Sequence, residues 1–273
     1  MRIISNTQRR KDEKYMLEFK NVSYRVPSQN GSGKEIEIIK NVSLSIDERF
    51  VAITGPNGSG KSTMAKLVAG IIKPTEGRIY LDGEDITDLS ITERAQKGIG
   101  YAFQQPVRFK GITVKDLISM AAGKNINIHQ ACEYLSEVGL CAKEYINREV
   151  NASLSGGELK RIEIAMVNAR NTAFTVFDEP EAGIDLWSFN SLIEVFKKMY
   201  DRTQGTILII SHQERILDIA DRVIVIAGGA VADDGTKEEV LPTLLSQSAG
   251  CCQTRNGTIG KTVAKKETVK GGV

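Results

Sequence analysis

The sequence is poor in the residues that build metal sites and disulfide frameworks. It has four cysteines and two histidines among 273 residues. None of the cysteines forms a CxxC pair, and two of them are adjacent in a polar stretch near the C-terminal end. Neither a zinc site, a disulfide framework nor a histidine-based metal site is therefore indicated.

Long apolar runs are also lacking. The longest, such as 206–210 and 223–227, fall far short of the roughly 20 residues that a membrane-spanning helix needs. The first fifteen residues are polar and have no apolar segment of the kind found in secretory signals. We expect a cytoplasmic protein with no direct membrane insertion, so that any link to a membrane would depend on a partner.

The body of the chain has no excess of basic charge. The formal net charge is +2, but residues 1–14 carry +3 and residues 254–273 carry +4, which leaves −5 for the residues between them. Nucleic-acid readers usually concentrate basic charge on a folded face, so no direct nucleic-acid partner is expected. We predict a basic N-terminal tail over 1–14 and a flexible C-terminal tail over 246–273.

The pattern over 15–245 predicts an α/β domain. Short runs rich in β-branched residues alternate with helical periodicities, which favours a largely parallel sheet covered by helices. From about 90 to 170 the character is helical, and we predict an inserted helical subdomain there.

One glycine-rich segment has the pattern of a phosphate-binding loop. GPNGSGKS at 55–62 follows an apolar run and precedes a helical period. Its glycines let backbone N–H groups turn toward phosphate oxygens, Lys61 would reach the terminal phosphates, and the Ser62 hydroxyl would bind Mg²⁺. A glycine-rich turn with a surface lysine is the alternative. The predicted nucleotide-binding residues here are Gly55, Pro56, Asn57, Gly58, Ser59, Gly60, Lys61, Ser62 and Thr63.

An apolar strand over 174–177 ends in two adjacent carboxylates, Asp178 and Glu179. Neighbouring side chains of a strand point to opposite faces, so the two acids should have different roles. We expect Asp178 to contact Mg²⁺ from the outer shell and Glu179 to polarise the water that attacks the γ-phosphate. The alternative is a solvated strand end.

A second glycine motif, LSGGE at 154–158, precedes another helical period. Ser155 and Glu158 have the spacing of a capping box, so helix initiation would account for both. It does not account for Gly156 and Gly157, since glycine in a helix costs about 1 kcal/mol relative to alanine. We expect these glycines to allow close backbone approach to an anionic ligand at the helix start.

The order of these motifs resembles that of the ABC-type ATPases, from about residue 17 to residue 241. The resemblance implies a P-loop NTPase with a largely parallel sheet core, an antiparallel β subdomain and an inserted α-helical subdomain. It implies ATP hydrolysis with Mg²⁺ and an ATP-dependent homodimer. In such a dimer, Ser155, Gly156 and Gly157 would complete the ATP site of the opposite subunit.

The resemblance also implies roles for single residues. Gln104 would contact the metal and relay the nucleotide state to the partner, with a solvated amide as the alternative. His212 would hold the γ-phosphate and act with Glu179 and Lys61 in catalysis, with a structural histidine as the alternative. Tyr24 is the nearest candidate for stacking on adenine, with a role in the core as the alternative.

Within this family, three parts of the chain resemble the SufC-like ATPases of iron–sulfur cluster assembly. They are ELKRIE at 158–163, the central loop at 89–95 with 102–107, and PEAGID at 180–185. This resemblance implies a soluble scaffold partner of the SufB/SufD type, which ATP hydrolysis would drive. The alternative is the nucleotide-binding subunit of a membrane transporter, with a membrane subunit as its partner.

Overall fold

The computed structural model describes residues 15–28, 34–105, 107–151, 153–202 and 205–250. The basic tail predicted at 1–14 and most of the flexible tail predicted at 246–273 lie outside these residues. The strands are β1 (Leu17–Pro27), β2 (Glu35–Ile46), β3 (Phe50–Thr54), β4 (Glu76–Leu81), β5 (Glu84–Asp85), β6 (Ile99–Ala102), β7 (Phe174–Asp178), β8 (Thr206–Ile210), β9 (Arg222–Ala227) and β10 (Ala230–Thr236). The helices are α1 (Lys61–Ala69), α2 (Ile91–Gln96), α3 (Val114–Ala122), α4 (Ile128–Glu137), α5 (Ala142–Tyr145), α6 (Gly156–Arg170), α7 (Leu186–Arg202), α8 (Glu214–Leu217) and α9 (Lys237–Gly250).

The larger sheet has six strands in the order β10-β9-β3-β8-β7-β6. Neighbouring strands from β9 to β6 pair in parallel, and β10 at the edge runs antiparallel to β9. All residues of β3, β7 and β8 are buried, as expected of parallel strands that are covered on both faces. The predicted fold class, an α/β protein with a largely parallel sheet, is confirmed.

The two faces of this sheet have separate cores, as the alternation along β3 shows. Phe50 and Ala52 belong to the core that includes residues of α3, α4, α6 and α7. Val51 and Ile53 face the opposite way, into the core shared with α1 and the smaller sheet. Successive strand residues alternate between the two faces of a sheet, so the five residues of β3 contribute to both cores. This double anchoring fixes the start of the loop that follows β3.

The smaller sheet is antiparallel, with the strand order β2-β1-β4-β5. Its buried residues share a core with Met64 and Leu67 of α1. The predicted antiparallel β subdomain therefore packs against the helix that follows the phosphate loop.

A buried arginine fixes the far end of α1. Arg94 is fully buried, and its guanidinium donates hydrogen bonds to the carbonyl oxygens of Leu67 and Val68 in the last turn of α1 and of Thr87. Carbonyl groups in the last turn of a helix lack the usual N–H partner four residues on, and the Leu67 carbonyl here also accepts the Gly70 N–H at 3.3 Å. A cation at this end also complements the helix dipole. Burial lowers the pKa of Arg94 to about 10, so it stays charged at neutral pH.

The predicted helical insertion at about 90–170 needs one correction. Strand β6 lies inside this range, pairs in parallel with β7 and forms an edge of the larger sheet. Its four residues, IGYA, are too few to show strand periodicity, and glycine is a poor strand former, so only pairing with β7 reveals it. The helical subdomain therefore follows β6 and consists of α3, α4, α5 and α6.

The chain also continues as regular structure beyond the predicted start of the C-terminal tail. Helix α9 ends at Gly250, whereas the sequence predicts the tail from 246. Val240 of this helix is buried, and the helix lies against β9 and β10. Composition alone misplaced the boundary, because the last turn of α9 is rich in small and polar residues.

Candidate active site

The phosphate loop joins β3 to α1 at the carboxyl end of the parallel strands. Gly55, Gly58 and Gly60 have φ angles of 134°, 76° and 106°, which glycine adopts without steric cost. A Cβ atom on Gly55 would lie 2.0 Å from the carbonyl oxygen of Ile226, and one on Gly60 would lie 2.7 Å from Cδ1 of Ile39. The loop therefore needs glycine for two reasons: its backbone has positive φ angles, and at Gly55 and Gly60 there is no room for a Cβ atom.

Two polar side chains inside the loop are suited to an anionic ligand. Lys61 is 5% exposed, and its Nζ donates to the carbonyl oxygens of Gly55 and Pro56 at 2.9 Å each. Burial lowers the pKa of Lys61. The Ser59 hydroxyl is buried and has no hydrogen-bond partner among the described residues. A buried hydroxyl of this kind costs about 1–3 kcal/mol, which a phosphate oxygen would relieve.

Asp178, at the end of β7, connects the phosphate loop to β6. Its Oδ1 accepts a hydrogen bond from the Ser62 hydroxyl at 2.9 Å, and its Oδ2 accepts one from the Tyr101 hydroxyl at 2.9 Å. Burial, and next the Asp178 carboxylate, raise the pKa of Tyr101, so the phenol stays protonated. Tyr101 could not be predicted from the sequence, because only the pairing of β6 with β7 brings the two side chains together.

The oxygen atoms around Asp178 fit a magnesium ion that would be bound jointly by the protein and by the phosphate oxygens of the nucleotide. Ser62 and Asp178 offer a hydroxyl and a carboxylate, the oxygen ligands that Mg²⁺ prefers. Over the residues that the structure describes, there is no cluster of three or more His, Cys, Asp and Glu side chains able to hold a metal. Phosphate oxygens of a bound nucleotide would add further ligands of the same kind.

Glu179 lies between Gln104 and His212. The Gln104 Nε2 donates to Glu179 Oε2 at 2.6 Å, and the His212 Nε2 lies 3.7 Å from Glu179 Oε1. Glu179 has a φ of 45°, a strained conformation for a residue with a side chain, and such strain is common at functional sites. The structure thus brings together three residues that are far apart in the sequence. Burial, and next the Lys61 ammonium, lower the pKa of His212, so its imidazole is neutral at pH 7.

A second carboxylate, Glu181, connects the loop after β7 to the loop after β8. The Ser211 hydroxyl donates to Glu181 and accepts the backbone N–H of Gln213 at 3.0 Å. Burial raises the pKa of Glu181. Ser211 precedes His212 directly, so this bond fixes the loops of His212 and Glu179 to each other. In the sequence Glu181 is visible only as part of PEAGID at 180–185, which does not indicate its contact with Ser211.

The LSGGE motif lies apart from these residues. The Ser155 hydroxyl accepts the Glu158 N–H at 3.2 Å, and the Glu158 carboxylate accepts the Ser155 N–H at 2.6 Å, so the predicted capping box is confirmed. Ser155 and Gly156 are exposed, and in the described part of the chain no hydrogen bond joins Ser155, Gly156 or Gly157 to the phosphate loop. A Cβ on Gly156 would meet only the Gly183 carbonyl oxygen, at 3.5 Å.

Tyr24 lies one strand away from the phosphate loop. It pairs with Ile39 across β1 and β2, and Ile39 is the side chain that crowds Gly60. The ring is partly buried and packs against the core of the smaller sheet. These contacts agree with the alternative role in the core, and stacking on adenine stays a prediction.

Comparisons with known proteins agree with this geometry. Residues 39–182 match the ABC transporter family. The chain is 41% identical over 213 residues to an uncharacterised ABC transporter ATP-binding protein of Methanocaldococcus jannaschii, over 75% of this chain and 85% of that protein. It is 32% identical over 217 residues to the lipopolysaccharide export system ATP-binding protein LptB of Haemophilus influenzae, over 77% of this chain and 89% of that protein.

The fold also matches a solved cassette. A dimeric, post-hydrolysis ATP-binding cassette bound to ADP and Pi superposes with a TM-score of 0.71 at 27% identity, over 81% of this chain and 98% of that one. The chain thus belongs to the ABC transporter family and is an ATPase with the P-loop NTPase fold. The family binds ATP, generally with Mg²⁺.

These comparisons support the general family and leave the finer SufC-like resemblance as a hypothesis. The relatives named above are ATP-binding proteins of transporters, which favours the transporter alternative over the scaffold one. None of the described helices has the length and apolar character that a membrane crossing requires.

Proposed function

We propose that this chain is the ATP-binding subunit of a membrane transporter and that two copies hold MgATP between them. The similarity to an ATP-binding protein of an export system supports the transporter role. The scaffold role rests only on the resemblance of short segments to SufC-like ATPases. The contacts that the structure describes for Glu158, with Ser155, Tyr145 and Arg148, lie within its own chain and favour neither kind of partner.

The observation that carries the proposal is that the chain has two anion-binding motifs that do not meet within one copy. The phosphate loop packs against Ile226 and Ile39 of its own chain, whereas Ser155 and Gly156 at the start of α6 are exposed and, among the described residues, form no hydrogen bond to that loop. A helix start with free N–H groups favours a phosphate. A two-fold symmetric pair would place each α6 start on the nucleotide of the other copy. The dimeric cassette to which this chain is similar supports such an arrangement.

In the proposed reaction each residue has a separate task. Lys61 and the loop N–H groups hold the phosphates, and Glu179, oriented by Gln104, polarises the attacking water. His212, neutral at pH 7, donates a hydrogen bond to the γ-phosphate. Ser62, Asp178 and Gln104 would hold Mg²⁺, which supplies charge neutralisation at the phosphate oxygens when it is bound.

Exposed apolar side chains near Gln104 in the sequence and on α3 are the candidates for contact with the membrane subunit. Phe103, Val107 and Met120 are 46%, 51% and 67% exposed, although large apolar side chains are usually buried. The first two flank the Gln104 segment and the third lies on α3. A partner that covers Phe103 and Val107 would contact the segment that carries Gln104.

Affinity purification of the full chain from detergent-solubilised membranes and from the soluble fraction tests the proposal. We expect a multi-span membrane protein to be recovered, and its yield to fall at least several-fold with Val107→Ser and Met120→Ser. Ile36→Ser is the matched control, because Ile36 is 52% exposed on the smaller sheet. Recovery of a β-rich soluble partner without a membrane subunit would favour the scaffold role instead.

A further inference from the structure

Two side chains of α6 hold the backbone of Phe103 at both of its polar groups. The Lys160 Nζ donates to the Phe103 carbonyl oxygen, and the Glu163 Oε1 accepts the Phe103 N–H at 2.9 Å. The same two side chains form an ion pair of 3.0 Å between Lys160 Nζ and Glu163 Oε2. We call Lys160 and Glu163 the α6 clamp.

Stability alone is a poor reason for this clamp. The Lys160 and Glu163 side chains are only 2% and 16% exposed. Removing two charges from water costs about as much as their attraction returns, so apolar residues would often serve the fold equally well. Burial raises the pKa of Glu163, which is the expected effect of that cost, and the Lys160 ammonium opposes it.

The clamp is the middle of a continuous series of contacts. Phe103 directly precedes Gln104, whose Nε2 lies 2.6 Å from Glu179 Oε2. At the other end, Lys160 lies little more than one helical turn after Gly156, in the same helix. A hydrogen-bonded helix moves as a unit, so a shift at its start reaches the Phe103 backbone.

We propose that Lys160 and Glu163 are positioning residues for ATP hydrolysis, which transmit the position of α6 through Phe103 and Gln104 to Glu179. Contact of the α6 start with the nucleotide of a second copy would then orient Glu179 in the other site of the dimer. This inference rests on the proposed pairing of two copies and on the proposed role of Gln104, but not on the nature of the transported substrate.

Three variants separate positioning from folding. The double variant Lys160→Met with Glu163→Leu removes both bonds to Phe103, whereas Glu163→Gln keeps an oxygen that accepts the Phe103 N–H. We expect the double variant to lower kcat for ATP about tenfold or more, because small displacements of catalytic groups have large effects. KM should change less than about twofold, since neither residue contacts the phosphate loop. Glu163→Gln should recover most of kcat relative to Glu163→Leu.

Hydrogen exchange at the Phe103 amide gives a readout that needs neither ATP nor a membrane partner. We expect Glu163→Leu to speed exchange at this amide at least about tenfold, and Glu163→Gln to leave it near that of the wild type. If the double variant does not fold, the single variant Glu163→Leu tests the inference, by its kcat for ATP and by hydrogen exchange at the Phe103 amide.

The matched control is Glu194→Leu with Lys197→Met. These residues form an ion pair with the same sequence separation and the same 3.0 Å distance on α7, but both are exposed. kcat should stay within about twofold of the wild type. A folded clamp variant with unchanged kcat, or an unchanged Phe103 exchange rate in Glu163→Leu, would overturn the inference. If wild-type protein hydrolyses ATP without pairing, the link between copies fails while the exchange result still tests the clamp.

Discussion

In the phosphate loop, a Cβ on Gly55 would lie 2.0 Å from a carbonyl oxygen of its own chain, whereas a Cβ on Gly156 of the LSGGE motif would lie 3.5 Å from its nearest neighbour. Gly55 also has a φ of 134°, and Gly156 lies in the first turn of a regular helix. Both motifs are rich in glycine, but only the first requires glycine for its own fold. Gly156 of the second motif leaves room at an exposed helix start, and the proposed pairing would use that room for the nucleotide of a second copy.

This contrast teaches that the conformation of the phosphate loop is fixed by its own chain, whereas the proposed ligand of the LSGGE motif would come from a second copy. Lys61, Ser62 and Asp178 surround the first motif with charge and hydrogen bonds. Around Ser155 the described bonds serve the helix cap. Substitutions in the phosphate loop should therefore affect nucleotide binding by one copy. Substitutions in the LSGGE motif should affect the pairing of two copies.

The largest effect is expected from Glu179→Gln. This variant should bind ATP but hardly hydrolyse it, so that two copies remain together as a dimer. Removing the carboxylate should lower kcat about 100-fold or more while ATP still binds, because the loss is in activation of water. The protein should then elute as a dimer in MgATP during size-exclusion chromatography. Glu194→Gln, at an exposed position, serves as the control. A Glu179→Gln protein that stays monomeric in saturating MgATP would contradict the pairing of the two motifs.

The next largest effect is expected from Lys61→Ala, which acts on the first motif alone. A charged hydrogen bond to phosphate is worth about 1.5–3 kcal/mol, so ATP affinity should fall roughly 10- to 100-fold. Titration calorimetry of the variant and of Lys66→Ala measures this. Lys66 is an exposed lysine of the same helix, and its loss should change the affinity by less than about twofold.

Alanine at one glycine of each motif compares them most directly. Gly55→Ala should lower both the melting temperature and the affinity for ATP, because the Cβ has no room and the φ is strained. Gly156→Ala should leave the melting temperature within about 2 °C of the wild type, since the folded chain has room for the Cβ. It should still lower kcat about tenfold by obstructing the nucleotide of the other copy.

Calorimetry and steady-state hydrolysis separate these outcomes. Wild-type kcat in Gly156→Ala would mean that the second motif is only a helix start. A large loss of melting temperature in Gly156→Ala would mean that its glycine serves the fold after all.

The smallest effect is expected from the pH dependence of stability that His212 causes. Its folded pKa lies below the ordinary 6.5, so the unfolded chain binds the proton first as the pH falls. His212 should therefore lower the free energy of unfolding as the pH drops below 6.5. Urea unfolding of wild type and His212→Gln at pH values above and below this point isolates its share. An equal pH dependence in both proteins would show that His212 is not held in its neutral form by the fold.

The local parts of the site could be predicted from the sequence, and the parts made by strand order could not. The phosphate loop, the acids ending β7 and the capping box each depend on a few consecutive residues. Tyr101 and Glu181 were missed, because Asp178, the partner of Tyr101, lies on another strand and Ser211, the partner of Glu181, lies in the loop after another strand. The same holds for β6, which is a strand only because β7 lies beside it.

The sequence by itself determined the family, the α/β pattern and the two glycine motifs, since a backbone that curls around phosphate needs glycines at fixed spacing. Only the tertiary structure decided which side chains act together. Parallel strands bring their carboxyl ends to one edge of a sheet, and the order β3-β8-β7-β6 places Gln104, Glu179 and His212 around one point. The buried bonds from α6 to Phe103 likewise exist only because packing brings a helix against a loop more than fifty residues away.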